Sequence, residues 1–390
     1  MTVFTSEKHA VLYSTRTHIF SVFTLFFLFF SSFFFSNKAF SNTAFSAEQR
    51  HPVKSLYIPL ADHYAAIIAY ERYRDKMEHA DFQIEQMKNW DLLRAKFQSG
   101  HADMAYVMSP LAMDMYHEKP HFQWIGLMHR DGNALAINDQ LNKHVNLPPN
   151  RIDRKPDYRT AEALKLAFEK TGVPTEIGMP HILATHTVVL YRYLKEHGLN
   201  LSINHFQPNE VLAIAVPPPK APAFIKGKSN RAQPAAFEQS LPWADVVETQ
   251  NFGRVAWYSK DVMPWKNGHV ECIALATKTA IKNKNKAIKE VMHAIHRAGE
   301  DIEQARLKGG KSLDDIVTLV RKHIPIHTPA AIRASLDPKL RVINYQHLNV
   351  DKDGLKLIMD IAVEGKILKA PIDIDSFADT QFEFPEKAND

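Results

Sequence analysis

The chain has 390 residues, a formal net charge of +5 and a hydrophobic content of 45%, which is typical of a globular protein rather than a fibrous or disordered one. At roughly 100–200 residues per domain, this length predicts two compact units or two lobes of one unit. The 48 Lys and Arg residues face 43 Asp and Glu residues without obvious clustering, which disfavours a dedicated nucleic-acid binder. The single cysteine, Cys272, excludes an internal disulfide and any zinc site built on paired thiolates.

The N-terminal region is predicted to be an export signal rather than part of the fold. The apolar run Ile19–Phe35 contains no Asp, Glu, Lys or Arg and follows a weakly basic start. Ala44-Phe45-Ser46 fits a small-x-small cleavage pattern, so we expect residues 1–46 to be a Sec-type signal peptide. An uncleaved membrane anchor is the alternative, because the run is just long enough to span a thin bilayer. In both cases the remaining chain is expected outside the cytoplasmic membrane, in the periplasm.

Short apolar runs alternate with helical patterns along the first half of the exported chain. They predict strands at 53–59, 82–87, 104–108, 122–127 and 134–137, and helices at 64–73, 91–98 and 111–116. Strands that alternate with helices imply βα units and a mainly parallel sheet. The polar, proline-containing stretch 138–158 is predicted to be a surface connection near a lobe boundary.

The alternation resumes in the second half of the chain. It predicts helices at 160–170 and 187–197, and strands at 176–178, 211–216, 254–258 and 270–277. A loop rich in Lys, Pro and Ala is predicted from Pro217 to Ala235. The last third is predicted to be helical at 281–308, 313–323, 329–336 and 352–364. We therefore expect a two-lobed α/β chain with a helical C-terminal region.

Three predicted strand-to-helix turns are the candidate ligand-binding positions, at 89–91, 108–110 and 184–187. In open α/β sheets, ligands bind beyond the carboxyl ends of the strands. The helix N-termini there offer free backbone N–H groups and a partial positive charge, so they favour anions. Ser109 at the second turn is a plausible helix N-cap, followed by Pro110 at the first helical position.

Seven short segments, taken in chain order, carry a resemblance to a known family. They are LYIPLADHYAAI (56–67), NWDLLRAKFQSGHADMAYVMSPLAM (89–113), DGNALAIN (131–138), MPHILATHTVVLYRYL (179–194), AVPPP (215–219), LPWADVV (241–247) and SKDVMPWKNGHVECIAL (259–275). Together they resemble the nitrate- and bicarbonate-binding proteins of ABC importers, within the wider class of periplasmic receptors for nitrate, sulfonates and thiamin precursors. The resemblance covers nearly all of the exported chain.

The resemblance implies the type II periplasmic-binding-protein fold, an α/β fold with mixed, mainly parallel sheets and a ligand cleft between two lobes. It implies that lobe 1 consists of residues 47–140 and 259–390, and lobe 2 of residues 141–258. It also implies that the protein captures a small oxyanion, such as nitrate, nitrite or bicarbonate, and delivers it to an ABC permease in the inner membrane.

In that family a Trp, a Gln, a His and a Lys hold the oxyanion. The resemblance implies these roles for Trp90, Asn133, His186 and Lys266, and the turn position adds Ser109 as a ligand-binding candidate. Lys266 would supply a positive charge, and the other side chains would supply hydrogen-bond donors. Each residue also has a structural interpretation, as a packing anchor, a turn residue, a helix cap or a solvated lysine.

Two departures from the family pattern bear on the ligand. Asn133 is one methylene shorter than the family's Gln, which leaves room for a larger ligand or one of different geometry. Leu241 stands where the family has a glutamate before Pro-Trp, so a carboxylate is missing. The sequence therefore predicts the fold more specifically than it predicts the ligand.

The histidines form no recognisable metal or catalytic motif. His293 and His296 lie three apart on a predicted helix, His323 and His327 flank Pro325, and no H-E-x-x-H occurs. Cys272, in an apolar strand, is interpreted as a small buried hydrophobe. We therefore predict a monomeric, soluble receptor with no catalytic activity, no metal and no cofactor. The alternatives are a ligand sensor for a signalling partner, a receptor for a sulfonate or a thiamin/pyrimidine-type ligand, and an enzyme on the same scaffold.

Overall fold

The computed structural model describes residues 50–203 and 209–385. The predicted signal peptide, residues 1–46, and its cleavage position lie outside these ranges. The strands of the described residues are β1 (His51–Tyr57), β2 (Ala80–Gln86), β3 (Met104–Met108), β4 (Phe122–Leu127), β5 (Arg130–Asp131), β6 (Asn133–Asn138), β7 (Thr175–Met179), β8 (Leu201–Ile203), β9 (Val211–Ala215), β10 (Ala235–Ser240), β11 (Gly253–Tyr258), β12 (Cys272–Thr277) and β13 (Ile343–Asn344).

The helices of the same residues cover both sheets and form most of the C-terminal third. They are α1 (Tyr64–Tyr73), α2 (Trp90–Gln98), α3 (Ser109–Glu118), α4 (Asp139–Asn142), α5 (Tyr158–Thr171), α6 (Thr185–Glu196), α7 (Ala221–Asn230), α8 (Trp243–Thr249), α9 (Ser259–Val262), α10 (Lys278–Asn283), α11 (Asn285–Lys308), α12 (Gly310–His323), α13 (Pro329–Ser335), α14 (Lys352–Glu364) and α15 (Ile374–Phe377). Short 3-10 turns lie at Ala61–His63, Arg74–Lys76, Arg151–Asp153, Pro218–Lys220 and Thr380–Phe382. Among the helices of residues 50–203 and 209–385, none is sufficiently long and apolar to cross a membrane.

Two large sheets and a two-stranded ribbon organise these elements. The first sheet has the order β2-β1-β3-β12-β4, with β1, β2 and β3 parallel and β12 antiparallel to both of its neighbours. The second has the order β11-β6-β10-β7-β9-β8, with β7 to β10 parallel and β6 antiparallel. Strands β5 and β13 form the ribbon. The predicted two-lobed α/β fold class, with mixed sheets, is confirmed.

Continuous apolar runs produce the central strands of both sheets. Every residue of β3 (MAYVM), β6 (NALAIN) and β12 (CIALAT) is buried, as expected for strands that helices cover on both faces. Several helices begin at capping residues; the Asn89 side chain, for example, accepts a hydrogen bond from the Leu92 N–H at 2.8 Å and starts α2. This cap fixes the position from which the side chain of Trp90, the first residue of the helix, extends.

Two segments carry the chain between the sheets. It leaves the first sheet after β4 and enters the second at β6, through residues 128–132, and it returns between β11 and β12, through residues 259–271. The first passage therefore precedes residue 140, the lobe boundary that we expected from the sequence. The strand at 134–137 is apparent from its apolar run, but that run does not indicate which sheet the strand joins.

A third connection between the sheets is made by hydrogen bonds rather than by the chain itself. The segment Pro59–Ala61 follows β1 of the first sheet, and Leu241–Trp243 follows β10 of the second. The Ala61 N–H donates to the Leu241 carbonyl at 2.8 Å, and the Trp243 indole N–H donates to the Pro59 carbonyl at 3.2 Å. The Leu241 N–H donates to the Gly132 carbonyl at 3.0 Å. Segment 241–243 is thus tied to both the first sheet and the first passage.

Three local expectations from the sequence were wrong. The region 217–235, expected to be a loop, contains α7, which begins next to Pro222 in its first turn. The strand β10 was missed because Glu238 and Gln239 interrupt its apolar pattern. The helix expected over 281–308 is interrupted at Lys284, which separates α10 from α11.

Gly268, in the second passage, provides a test of how tightly the passage is packed. It has φ +93°, and a Cβ there would lie 2.4 Å from the Asp131 Oδ2. Gly268→Ala should therefore reduce the free energy of unfolding by about 2–4 kcal/mol, through backbone strain and displacement of the Asp131 carboxylate. Gly100→Ala is the matched control, because Gly100 has φ +79° and no neighbouring atom within 4 Å. It should cost only about 1–2 kcal/mol in urea denaturation, and equal losses for the two variants would contradict the proposed clash.

Candidate functional site

A cluster of polar side chains is buried where the two passages meet the ends of both sheets. Such a concentration of buried polar groups is unusual, because each one loses its hydration and needs a partner. Eight of the side chains involved are completely buried: Asp62, His129, Asn133, His186, Glu238, Ser240, Glu271 and Cys272.

Both sheets and both passages contribute to this polar cluster. Asp62 lies in the 3-10 turn that follows β1 of the first sheet, and His129 lies in the first passage. Glu271 ends the second passage, directly before β12. From the second sheet come Ser240, at the end of β10, and His186, in the first turn of α6. The cluster therefore lies where the two sheets and both passages meet.

His129 is at the centre of the electrostatics of the cluster. Its Nε2 lies 3.0 Å from Glu271 Oε2 and 3.6 Å from Asp62 Oδ2. Burial disfavours the imidazolium, but Asp62 and Glu271 outweigh it and raise the pKa of His129 to about 10. Burial alone would raise the pKa of Asp62, yet His129 holds that pKa below its usual value. At neutral pH, His129 and Asp62 therefore form a buried ion pair.

The other carboxyl groups of the cluster have raised pKa values. Burial, with a contribution from Asp62, raises the pKa of Glu271 to about 7. Burial, followed by Glu271 and Asp62, raises the pKa of Glu238 well above its usual range. Most of the positive charge of His129 is already balanced within the protein, by the Asp62 carboxylate and by Glu271 where it is ionised.

A hydrogen-bond chain fixes the tautomer of His186. Because the ionised Asp62 carboxylate only accepts, the Ser240 hydroxyl donates to its Oδ2 at 2.9 Å. The Ser240 oxygen then accepts from His186 Nε2, also at 2.9 Å, so the proton of this imidazole is on Nε2. Burial lowers the pKa of His186 to about 3, which leaves Nδ1 with a free lone pair. That lone pair lies 3.5 Å from Glu271 Oε1.

Cys272 and His63 are the nearest arrangement to a nucleophile and its base in this cluster. His63 Nε2 lies 3.3 Å from the Cys272 sulfur. Burial, followed by Glu271, raises the pKa of the thiol well above its usual value, and burial lowers the pKa of His63 to about 4. Both groups are therefore neutral at pH 7. A neutral thiol is a poor nucleophile, so the pair lacks the thiolate–imidazolium character of a catalytic cysteine.

Several atoms of the cluster have no hydrogen-bond partner in the described part of the chain. They are Asp62 Oδ1, the Trp90 indole N–H, both ring nitrogens of His129, both polar atoms of the Asn133 amide, His186 Nδ1 and the carboxyl oxygens of Glu238 and Glu271. Unpartnered buried polar atoms of this kind are costly, at about 1–3 kcal/mol each, and normally indicate a bound water, ion or ligand. Their concentration at one place identifies the cluster as the candidate ligand site.

Four of the five site residues predicted from the sequence lie in or beside the cluster. Asn133 is paired with Ser240 across β6 and β10, and the Trp90 ring lies 6.2 Å from that of His63. The Ser109 hydroxyl is 3.3 Å from that of Thr185, and its N–H donates to the Glu271 carbonyl at 2.9 Å. His186 is part of the cluster itself.

The structure does not bring Lys266 into the cluster. This residue lies exposed in the turn of the second passage, where the Gly268 N–H donates to the Trp265 carbonyl. His269, three residues further along, is the buried member of the same segment, and its Nε2 lies 2.9 Å from Ser259 Oγ. The turn thus directs the lysine to solvent and the histidine inward.

Sequence reasoning missed Asp62, His129, Glu238, Ser240 and Glu271. The sequence contains a signal for Glu271 and Glu238, because each places a carboxyl group inside an otherwise apolar strand pattern. The sequence also did not indicate that Asp62, His129, Glu271 and Cys272 bring their ligand atoms within 4.8 Å of one another.

Fold and site together define a two-lobed protein of the periplasmic-binding-protein class, with buried polar side chains between two α/β sheets. The chain belongs to the NMT1-like family, which matches residues 46–308. The class suspected from the sequence is therefore confirmed at the level of family and fold. A comparison with curated proteins gives no match.

Solved structures with the same fold share little sequence with this chain. The ligand-binding component of an ABC-type import system from Staphylococcus aureus, with zinc bound, is 16% identical, with a TM-score of 0.65 over 86% of this chain and 98% of that one. The periplasmic nitrate-binding protein NrtA from Synechocystis PCC 6803 is 17% identical, with a TM-score of 0.65 over 85% of each chain. The alkanesulfonate-binding protein SsuA from Xanthomonas axonopodis pv. citri, bound to MOPS, is 11% identical, with a TM-score of 0.59 over 83% and 96%.

Proposed function

We propose that this protein is the substrate-binding protein of an ABC importer, which closes around a small solute and delivers it to a permease in the membrane. The observation that carries the proposal is the buried cluster itself, to which both sheets and both passages contribute. A site assembled from two lobes is complete only when the lobes are closed, so ligand binding and closure are coupled. The solved import proteins of the same fold support this function.

The proposed action is capture without chemistry. The neutral Cys272–His63 pair has no activated nucleophile, and His186 is protonated on the nitrogen that donates to Ser240. A desulfurization enzyme, DszB, shares the fold at 11% identity with a TM-score of 0.51, so the scaffold itself does not exclude catalysis. We infer binding from the state of these side chains. Together with the family, the predicted export signal supports a periplasmic location.

The small oxyanion implied by the sequence receives mixed support. The Trp90 indole and the Asn133 amide are unpartnered buried donors, as an anion would require. Lys266, which was to supply the positive charge, is exposed, and three carboxyl side chains lie in the cluster. An anion there would face Glu271 and Asp62, and the charge of His129 is already shared between them. The charge balance of the site thus favours a cationic or neutral solute over nitrate or bicarbonate.

The proposal is tested by identifying the solute. Small molecules and ions released by denaturing the purified protein are identified by mass spectrometry. Calorimetric titrations then use nitrate, nitrite, bicarbonate, an alkanesulfonate, a pyrimidine and the zinc ion. His186→Ala should weaken binding of the solute about tenfold or more, because it removes a hydrogen bond and a lone pair from the buried site. Lys266→Ala, at an exposed position of the same passage, should leave the affinity unchanged.

Cells that lack this chain should lose uptake of the solute so identified. The proposal fails if no solute is released and none of the six compounds produces heat. It also fails if the solute binds equally well to the His186→Ala variant. A weakened affinity in Lys266→Ala as well as in His186→Ala would instead support the site implied by the family resemblance.

A further inference from the structure

We propose that the buried cluster binds one divalent transition-metal ion through Asp62, His129, Glu271 and Cys272. Each of these residues offers one ligand atom, and all four atoms lie within 4.8 Å of one another. This spacing is compatible with four ligands around one ion at metal–ligand distances of roughly 2.0–2.3 Å. The inference rests on the proposed function in that it concerns the same site, and it specifies the chemical class of what is bound there.

The types of ligand indicate a first-row transition metal rather than calcium or magnesium. The site has two carboxylates, one imidazole and one thiolate, whereas calcium and magnesium prefer oxygen ligands alone. The combination of a softer sulfur with nitrogen and oxygen suits Zn²⁺, Co²⁺ and similar ions. A bound cation would also displace the proton of the Cys272 thiol and one proton of the His129 imidazolium, because a metal binds the thiolate and the neutral imidazole.

Unpartnered atoms aimed at the site provide a second, independent observation. Both Glu271 oxygens lack a hydrogen bond within the described part of the chain, and so does Asp62 Oδ1. His186 Nδ1 lies 3.5 Å from Glu271 Oε1 in a completely buried place, so two acceptors oppose each other whenever Glu271 is ionised. A cation between them removes this repulsion, whereas an anion increases it.

Neighbouring side chains are arranged to support the ligands. Ser240 donates to Asp62 Oδ2, the oxygen that lies 3.6 Å from His129 Nε2, and thereby orients the Asp62 carboxylate. His63 can accommodate either state of Cys272, because its Nδ1 lies 2.8 Å from the Ile58 carbonyl and 3.0 Å from the Ile58 N–H. With Nδ1 protonated, it donates to that carbonyl, and its Nε2 accepts the thiol proton. With Nδ1 bare, it accepts the Ile58 N–H, and its Nε2–H donates to the thiolate.

The position of the ligands also connects metal binding to closure. Asp62 and Cys272 belong to the first sheet, and His129 and Glu271 to the two passages, while His186 faces Glu271 from the second sheet. All four ligands are 0% exposed, so an ion enters only when the sheets separate. The metal would therefore be bound on the first sheet and then covered by the second.

The test uses the purified full chain, freed of metal with a chelator. Titration with Co²⁺ should produce a thiolate-to-cobalt charge-transfer band that saturates at one ion per chain. Zn²⁺ should displace the cobalt, and elemental analysis after gel filtration should find one zinc per chain. Zinc should also raise the melting temperature, because it binds only the folded form. Cys272→Ser should abolish the charge-transfer band and weaken metal binding at least tenfold, and Glu271→Gln should weaken it at least tenfold with the band retained.

His296→Gln is the matched control, because this buried histidine stacks on Phe384 outside the cluster. This variant should bind metal like the unaltered protein. That result would exclude a general effect on metal binding of replacing a buried polar residue. Melting curves show whether each variant is folded. The metal-binding measurement on the unaltered chain does not depend on the folding of any variant. The proposal is overturned if the unaltered chain retains no zinc, or if it retains zinc without a thiolate band and Cys272→Ser binds equally well.

The two proposals can fail separately. A protein that binds an organic solute in calorimetry but holds neither cobalt nor zinc overturns the metal site and leaves the receptor function intact. A protein that holds one metal ion per chain, in cells whose uptake does not depend on it, overturns the importer function and leaves the metal site intact.

Discussion

Replacing His129 with glutamine should reduce the free energy of unfolding of the metal-free protein by about 3–5 kcal/mol, because it leaves two buried carboxyl groups without their cationic partner. His129 lies 3.0 Å from Glu271 Oε2 and 3.6 Å from Asp62 Oδ2, and all three side chains are completely buried. Glutamine is similar in size but carries no charge. The measurement is urea denaturation at pH 6.5 in the presence of a chelator.

The loss should also depend on pH in a defined direction. The pKa of His129 is raised from 6.5 to about 10 in the folded protein. Burial by itself would lower this pKa, but the interactions with Asp62 and Glu271 outweigh the effect of burial. A raised folded-state pKa contributes stability that is fully present below the unfolded value and is lost as the pH rises through the folded value. The difference between the unaltered protein and His129→Gln should therefore be largest near pH 6.5 and shrink towards pH 10.

His327→Gln is the control for this experiment. His327 is equally buried and hydrogen bonded to the Tyr64 hydroxyl and the Pro59 carbonyl, but burial lowers its pKa to about 3. Because it is neutral throughout the range from pH 6.5 to 10, the cost of replacing it should be constant there. A pH-independent loss for His129→Gln as well would contradict the buried ion pair.

Replacing Arg306 with methionine should destabilise the protein by a similar amount, about 3–5 kcal/mol. In α11, Arg306 pairs with Glu303 at 3.0 Å and donates to the carbonyls of Ile343 and Leu336 at 2.7 and 3.3 Å. Both charged side chains are almost completely buried, so the variant leaves the Glu303 carboxylate without its partner. Denaturation by urea, followed by circular dichroism, measures the loss.

Two further variants define the cause of that loss. Arg333→Met breaks an exposed ion pair with Asp314 and should cost about 1 kcal/mol or less. The double variant Glu303→Gln, Arg306→Met should recover part of the stability, because no charge is then left buried. If the double variant is less stable than Arg306→Met, the unpaired carboxylate is not the cause.

The Arg306 network also bears on the candidate site. Glu303 accepts from the Tyr345 N–H at 3.0 Å, and the Tyr345 hydroxyl donates to the Ala61 carbonyl at 2.7 Å, next to Asp62. Ile343 pairs with Asp131 in the ribbon beside the first passage. The network therefore supports two of the segments that carry ligand-site residues, although it lies outside the cluster.

Much of the fold could be predicted from the sequence, because most elements have unbroken patterns. Strands β3 and β4 and helix α1 begin and end where their apolar runs and flanking residues indicate. The pattern fails at β10, where Glu238 and Gln239 occupy buried strand positions that elsewhere hold apolar residues. These polar residues are present because the strand ends in the site, so the site itself obscured the strand.

The candidate site was less predictable, for a related reason. Trp90 and His186 lie at predicted strand-to-helix turns, and such turns are visible in one sequence. The partners of His129 are far apart in the chain and meet only through the order of the strands, which places β12 between β3 and β4. Lys266 and His269 lie in one short turn, and their opposite directions follow from the left-handed residues Asn267 and Gly268 between them.

The hydrogen bonds between Pro59–Ala61 and Leu241–Trp243 act as a latch across the two sheets. To admit or release cargo, the protein must break the bond from Ala61 to Leu241 and the bond from Trp243 to Pro59, and it must hydrate their backbone groups. This cost is the same whatever the cargo. The latch therefore favours the closed arrangement by the same amount for every ligand, and differences in affinity between ligands arise in the polar cluster.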